Sequence, residues 1–489
     1  MRKFRVILVA IIVMTLLMTG LAACGEQKVA QPEPEAPVQT ETDEPGTEET
    51  KAPEETTETQ GFNWRAHEGA TLQIMFNQHT YADAVIEKLP EFEEKTGIHV
   101  EYSVTPEENY FDKLTTALNS RSGNPDVFMT GAYQIWEYAP AGYVEPLDDY
   151  INDPNKTDAN YNFDDFYPSV VGSLRWDCIP GHKVGEGPQW ALPMGYELNN
   201  LAYNKRVFDE KGLKPPKTTE ELLDVATKLK EFAGPGTYGI ALRGTRNWAT
   251  IHPGYMTLFA TWGAQDFAIE NGRLVCKLDS PEAIEMTDYW VKLIKQGGSP
   301  QWSTYTWYQA GADLGAGKAA MLFDATCNGY FQNVEGASAE SGNIAWVDSP
   351  LPPGKTESRS NVWVWSLAMN ADSKNKDAAW YFIQYFTSPE FMLWSGTEGD
   401  CADAPRASVA ESEQYLNVVG KAHGYLEALN QGLPNATIQF TPQPYFFETT
   451  TEWAATLQDL VGGKYESTEQ AMKELTKKLN DVVADIVVE

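Results

Sequence analysis

Leu72-Gln73-Ile74-Met75-Phe76 opens the stretch that decides the fold, and that stretch runs on to Met129. The run is apolar and has the length of a buried strand. After it Val85, Ile86, Leu89 and Phe92 recur on one helical face, and Gly97 supplies a helix end. Ile98, Val100, Tyr102 and Val104 then alternate with polar residues, as a strand does. Phe111, Leu114 and Leu118 mark a second helix, and Asp126-Val127-Phe128-Met129 is a third strand after Asn124-Pro125. Strand, helix, strand, helix, strand at this spacing predicts βαβ units and a mostly parallel sheet.

The pattern restarts further on. Thr218 and Glu221 are spaced as a capping box, before a helix with Leu222, Leu223, Ala226, Leu229 and Phe232 inward. Tyr238 to Leu242 reads as the next strand, and Ser280-Pro281 begins a helix that buries Trp290, Leu293 and Ile294 and stops at Gly297-Gly298. Met321-Leu322-Phe323 and Val362 to Met369 are further strands, and a last helix carries Ala471, Leu475, Leu479, Val482 and Ile486. Residues 61–489 exceed what one core usually organises, so two α/β lobes are expected, with a cleft between them where ligands usually sit.

The other end of the chain reads as an address. Met1-Arg2-Lys3-Phe4-Arg5 is basic, Val6 to Leu21 is apolar, and Leu21-Ala22-Ala23 precedes Cys24. That order describes a secretory signal, and the run is short for a membrane span. It resembles a bacterial lipoprotein signal, which implies a lipid on the Cys24 thiol and cleavage in front of it. From Gly25 to Gln60 eleven acidic residues face only Lys28 and Lys51, among Pro, Thr and Gln. Such a segment buries too little to offset its ordering entropy and is expected to be a disordered tether.

The formal net charge of the whole chain is −32. That argues against nucleic acid, whose binders need a basic patch, and against adhesion to anionic lipid, so only the lipid should hold the chain to a membrane. Cys178, Cys276, Cys327 and Cys401 are far apart in sequence, with no C-x-x-C. No zinc site, other metal or cofactor is expected; one or two disulfides, or free buried thiols, both remain open.

From about Thr71 onward the chain resembles the family 1 extracellular solute-binding proteins of ABC-type sugar importers. The resemblance is carried by Asn124-Pro125-Asp126-Val127, by Gly142-Tyr143-Val144-Glu145-Pro146-Leu147-Asp148 and by Trp190-Ala191-Leu192-Pro193-Met194-Gly195-Tyr196-Glu197. Leu201-Ala202-Tyr203-Asn204-Lys205, Pro215 to Glu221 and Gly317-Lys318-Ala319-Ala320-Met321 follow in the same order. Within the family it is most similar to the polyol-binding branch, through Pro106-Glu107-Glu108-Asn109, Gly131-Ala132-Tyr133-Gln134, Ala241-Leu242-Arg243-Gly244, Phe323-Asp324-Ala325-Thr326 and Asn361-Val362-Trp363-Val364-Trp365. The resemblance implies a two-lobe periplasmic-binding-protein-like fold whose lobes close on solute, with crossovers near Glu197–Asn200, Val362–Trp365 and Asp403–Ser408. The implied division is signal 1–23, tether 24–60, a first lobe of 61–197 and 366–405, and a second of 198–365 and 406–489. It also implies ABC permease subunits as partners, at the extracellular face of a Gram-positive-type membrane.

A polyol or sugar offers vicinal hydroxyls and a weakly apolar C–H face. Hydroxyls need fixed acceptors and forked donors, and the C–H face packs on aromatic rings. Candidate polar contacts are Asn77 and His79 after the first strand, Glu197 at a family hinge position, Arg243 and Asp324 at strand ends, and Arg406. Candidate platforms are Tyr133, Trp302, Trp307, Trp363 and Trp365; the last two are two residues apart on one strand and so share a face. Two rival functions remain, a secreted glycosidase-like enzyme and a surface adhesin. Against the enzyme, the chain carries no G-x-S-x-G, no H-E-x-x-H and no phosphate-binding glycine loop, and nothing singles out a carboxylate pair.

Overall fold

A computed structural model describes residues 61–488. The expected signal, Cys24 and the tether lie outside the described residues. Among those residues no helix is long and apolar enough to cross a membrane.

The opening stretch folds as its pattern dictates. β1 (Thr71–Asn77) pairs in parallel with β2 (His99–Thr105) and with β3 (Val127–Gly131). The helix between β1 and β2, Thr80–Thr96, starts where the His79 ring accepts from the Tyr81 amide and ends where Gly97 takes a left-handed turn at φ 71°. The helix Glu107–Asn119 buries Tyr110, Leu114 and Leu118. The Tyr110 hydroxyl donates to the carbonyls of Met75 or Met129, so it ties this helix to two neighbouring strands.

The remaining strands are β4 (Leu192–Glu197), β5 (Asn199–Asn204), β6 (Tyr238–Ala241), β7 (Phe267–Glu270), β8 (Arg273–Cys276), β9 (Ala319–Ala325), β10 (Ile344–Val347) and β11 (Trp363–Met369). They form a first sheet in the order β2-β1-β3-β11-β4, a second in the order β10-β5-β9-β6, and the hairpin β7-β8. Each large sheet is the floor of one lobe. The sheets are mixed, which corrects the expectation of a mostly parallel one: β11 runs antiparallel to both β3 and β4, and β5 antiparallel to β9 and β10. The physical reason is the crossing itself. β4 carries the chain out of the first lobe and β11 brings it back, and an exit and an entry that lie side by side must run in opposite directions.

The first crossing is short, since β4 ends at Glu197 and β5 begins at Asn199 in the other sheet. The return differs from the expected boundaries. Residues 363–365, expected in the second lobe, belong to the first lobe's sheet, because the whole of β11 is hydrogen-bonded there. Arg406, expected to start the last second-lobe segment, is bridged to Phe166, and the helix Glu413–Val419 packs on Pro389–Thr397. The chain rejoins the second lobe near His423, which is bridged to Ala345 of β10.

Capping residues explain the later helices. Thr218 and Glu221 form the full reciprocal box, and Ser280 accepts from Ala283 ahead of Pro281–Gly297. The last helix runs Thr468–Val482. All four described cysteines are free thiols, which closes the disulfide alternative.

Candidate functional site

Strand ends converge between the two sheets. β1 delivers Asn77 and, just beyond it, His79; β4 ends on Glu197; β11 starts at Trp363. From the second lobe β6 leads to Arg243, β9 carries Asp324, and the helix Trp307–Gly315 begins with its indole at the junction. Ligands in α/β sheets collect beyond such ends.

A cavity of about 20 Å³, room for about one or two waters, lies at this meeting point. Of the residues expected from sequence, His79, Glu197, Arg243, Trp307, Trp363 and Trp365 line it. Glu107, Trp248, His252, Cys327, Asn328 and Phe331 line it as well. Sequence reasoning missed these, although each follows the carboxyl end of a strand: Glu107 follows β2, Trp248 and His252 follow β6, and the last three follow β9.

The other expected residues stand elsewhere. Asp324 holds Arg243 from behind: Arg243 Nε donates to Asp324 Oδ2 at 2.8 Å and Nη2 to Oδ1 at 2.5 Å. Arg243 Nη1 also donates to the Ala249 carbonyl at 3.2 Å and meets His252 Nε2 at 3.0 Å. Trp302 donates from its indole to the Arg243 carbonyl at 2.7 Å and is packed against Gly244. Tyr133 sits one layer back, its ring 4.8 Å from that of Trp363; its hydroxyl donates to the Val362 carbonyl and accepts from Asn361. Asn77 is fully buried beside Glu107, close enough to favour its carboxylate, yet neither amide atom has a well-aligned partner. Arg406 is not at the cavity. It is buried in the first lobe, donates to the carbonyls of Thr387 and Asn162, and lies over the Phe166 ring at 3.7 Å.

Burial sets the charge states. Arg243 stays charged, because the Asp324 carboxylate outweighs the desolvation that works against it. Burial pushes the Glu197 carboxyl up to about 8 against the pull of Arg243, and pushes His79 down to about 3 with Arg243 adding to the effect. Although His79 Nε2 and Glu197 Oε1 are 3.9 Å apart, both are neutral at pH 7, so the contact is not an ion pair. Glu197 instead accepts from the Trp365 indole at 2.9 Å. Glu107 is raised by burial, opposed by Arg243 and by the bond from the Trp307 indole. That bond, 3.0 Å from Trp307 Nε1 to Glu107 Oε2, spans the two lobes, as does the 3.1 Å bond from the Tyr308 hydroxyl to the Gln78 carbonyl.

A pH dependence follows. Near pH 6.5 the unfolded His79 and His252 still hold about half a proton each while the folded rings, depressed by burial, hold none, so they blunt the fall set by the carboxyls and drop out about one unit higher. Glu197 keeps its proton in the fold to about pH 8 but loses it near its ordinary 4.5 when unfolded. The folded chain therefore holds the extra proton, and stability falls as pH rises from 6.5 to 8. Asp403, pushed up to about 7 by burial, adds to the fall at the lower end. Thermal midpoints should drop across this window in the parent and drop less in Glu197→Gln; an equal drop in both would remove Glu197 as the source.

The sequence profile of the bacterial extracellular solute-binding proteins matches residues 77–392, which takes in every strand of the two large sheets after β1 and every cavity-lining residue. The chain belongs to that family. This solute-binding protein is 41% identical over 416 residues to the erythritol/L-threitol-binding protein of Mycolicibacterium smegmatis, covering 85% of this chain and 87% of the relative. It is 28% identical over 351 residues to the mannitol-binding protein of Pseudomonas aeruginosa, covering 70% and 74%. In fold it is similar to an ABC transporter solute-binding protein of Agrobacterium radiobacter K84 solved in complex with ribitol. That likeness has a TM-score of 0.73 at 21% identity and spans 85% of this chain and 99% of that one.

Proposed function

We propose that this solute-binding protein is the receptor of an ABC-type importer for a short sugar alcohol of the four-carbon class. The observation that carries the reading is the set of side chains that line the cavity between the lobes. Its polar groups, Arg243, Glu107, Glu197, His79 and Asn328, stand among the rings of Trp248, Trp307, Trp363 and Trp365. Forked donors and carboxyl acceptors suit vicinal hydroxyls, and the rings suit the C–H face between them. The relationship to an erythritol/L-threitol-binding protein over most of both chains supports the same class.

Capture follows from which lobe holds which group. His79, Glu107 and Glu197 come from the first lobe, and Arg243, His252 and Asn328 from the second. A solute that bonds both sets gains its full binding energy only when the lobes are together, so it favours closure. The Oδ1 of Asn328, buried at the cavity wall without a hydrogen-bond partner, gains from any hydroxyl placed near it. Glu107 and Glu197 share one cavity, and a glycosidase also uses two carboxyls. A sugar alcohol has no glycosidic bond, so in this reading the two carboxyls orient hydroxyls and break nothing. Cys24 carries the lipid, and residues 25–60 keep the receptor beside its permease.

Titration calorimetry of the purified chain against erythritol, L-threitol, ribitol, mannitol and maltose tests the reading. Binding to the four-carbon polyols is expected, with a thermal midpoint that rises with their concentration. Absence of binding to every carbohydrate in the panel would overturn the receptor reading. Conversion of any of them to product would favour an enzyme.

A further inference from the structure

Two cavities meet at one wall. The inner one is that described above; the outer one, about 150 Å³, lies beside it. Glu107, Arg243, Trp248 and Trp307 bound both. Arg243 is locked by Asp324, and Trp248 is packed against Trp363 and His252, with ring centroids 5.3 and 5.6 Å away. The movable part of the wall is the Trp307 indole. It is only partly buried, reaches Glu107 through a single hydrogen bond, and lies on the Tyr308 ring with centroids 3.7 Å apart. Beyond it the outer cavity already has groups that suit hydroxyls, in Glu108, Thr245, Asn247 and Thr306, and a C–H platform in Phe111.

We propose that the Trp307 indole sets ligand length, standing as the partition between the inner and outer cavities and keeping the end of a longer polyol held at the inner one from reaching the outer one. The proposal rests on the reading that the cavity binds a polyol. A longer chain has to displace the indole and break its bond to the partly buried Glu107 carboxyl, so the parent discriminates against it. With the ring gone the two spaces join. The extra hydroxyls then find Asn247, Thr245 and the released Glu107 within one continuous site.

Affinities for erythritol, ribitol and mannitol, measured by calorimetry on the parent, Trp307→Ala and Trp307→Phe, test this. The parent should prefer erythritol over mannitol by about tenfold or more. Trp307→Ala should bring that ratio near one or invert it, while Trp307→Phe, which still fills the gap, keeps most of the preference. If Trp307→Ala melts without cooperativity, Trp307→Leu supplies the same comparison. A folded Trp307→Ala with the parent's ratio overturns the proposal. So does one that binds none of the three, which would make the indole a platform for the ligand and not a partition. A parent that binds mannitol as tightly as erythritol overturns the length limit alone, whereas a parent that binds no polyol overturns the receptor reading beneath it.

Discussion

Asp324→Ala is expected to destabilise the folded chain by about 3–5 kcal/mol and to abolish solute binding with it. Asp324 takes both forks of Arg243 in a setting where both side chains are almost wholly buried. Removing the carboxylate leaves a charged, buried guanidinium with only the Ala249 carbonyl and a neutral His252 as hydrogen-bond partners. The penalty is that of an uncompensated buried charge, which exceeds the net worth of the pair itself. Arg243 would swing or draw in water, and the one forked donor of the cavity would lose its aim. A residue that only touched ligand would leave the stability of the empty protein unchanged, so urea melts without solute separate the two roles. The double replacement Arg243→Met with Asp324→Leu removes both charges at once and should recover much of the stability without recovering binding. An Asp324→Ala protein as stable as its parent would show that Arg243 does not depend on it.

Gly131→Ala should cost about 1–3 kcal/mol and weaken binding severely, although it adds one methyl group. Gly131 ends β3 opposite Trp365 of β11, with an ordinary φ of −118°, so the backbone does not need a glycine there. Space does. A β-carbon would stand 1.9 Å from Cη2 and 2.0 Å from Cζ2 of Trp363. That indole cannot step aside, because the rings of Tyr133, Trp365, Trp248 and His252 surround it at 4.8 to 5.6 Å. The methyl group therefore forces either the end of β3 or a wall of the cavity to shift. A lowered melting midpoint together with a loss of polyol affinity is the expected result; parent-like affinity would mean that Trp363 is not held in place from behind.

Much of the fold is legible in the chain itself. The alternation through Ile98, Val100, Tyr102 and Val104 and the helical stripe of Val85, Leu89 and Phe92 fix the first βαβ units, because burial on one face imposes those periods. Strand direction was not legible. Nothing local distinguishes Trp363–Met369 from a parallel strand, since its seven residues are all buried and its partners β3 and β4 lie far away in sequence. For the cavity, the principle that ligands lie beyond strand ends finds His79 and Arg243, and the family hinge position finds Glu197. Glu107 obeys the same principle, since it follows β2. Arg406 is not legible as a buried residue, because an arginine is ordinarily exposed, yet its guanidinium satisfies backbone carbonyls inside the first lobe. Tryptophans were the least legible. Trp302 and Trp307 come from one short stretch, yet one supports the Arg243 backbone and the other faces the cavity, a difference set by tertiary packing.

The place of β11 in the first sheet has a consequence in time. This strand fills the gap between β3 and β4, yet it is the last of the five to be synthesised. A growing chain that has already made β1 to β4 holds two separated pieces of sheet with their inner edges unpaired. They cannot be joined until residue 369 has emerged, by which point every strand of the second lobe has been made as well. Contacts of such long range form slowly, because the loop between them must be closed first. The amino-terminal lobe therefore cannot fold ahead of the rest, and a chain that stays loose until late is one that can still be threaded through a narrow pore.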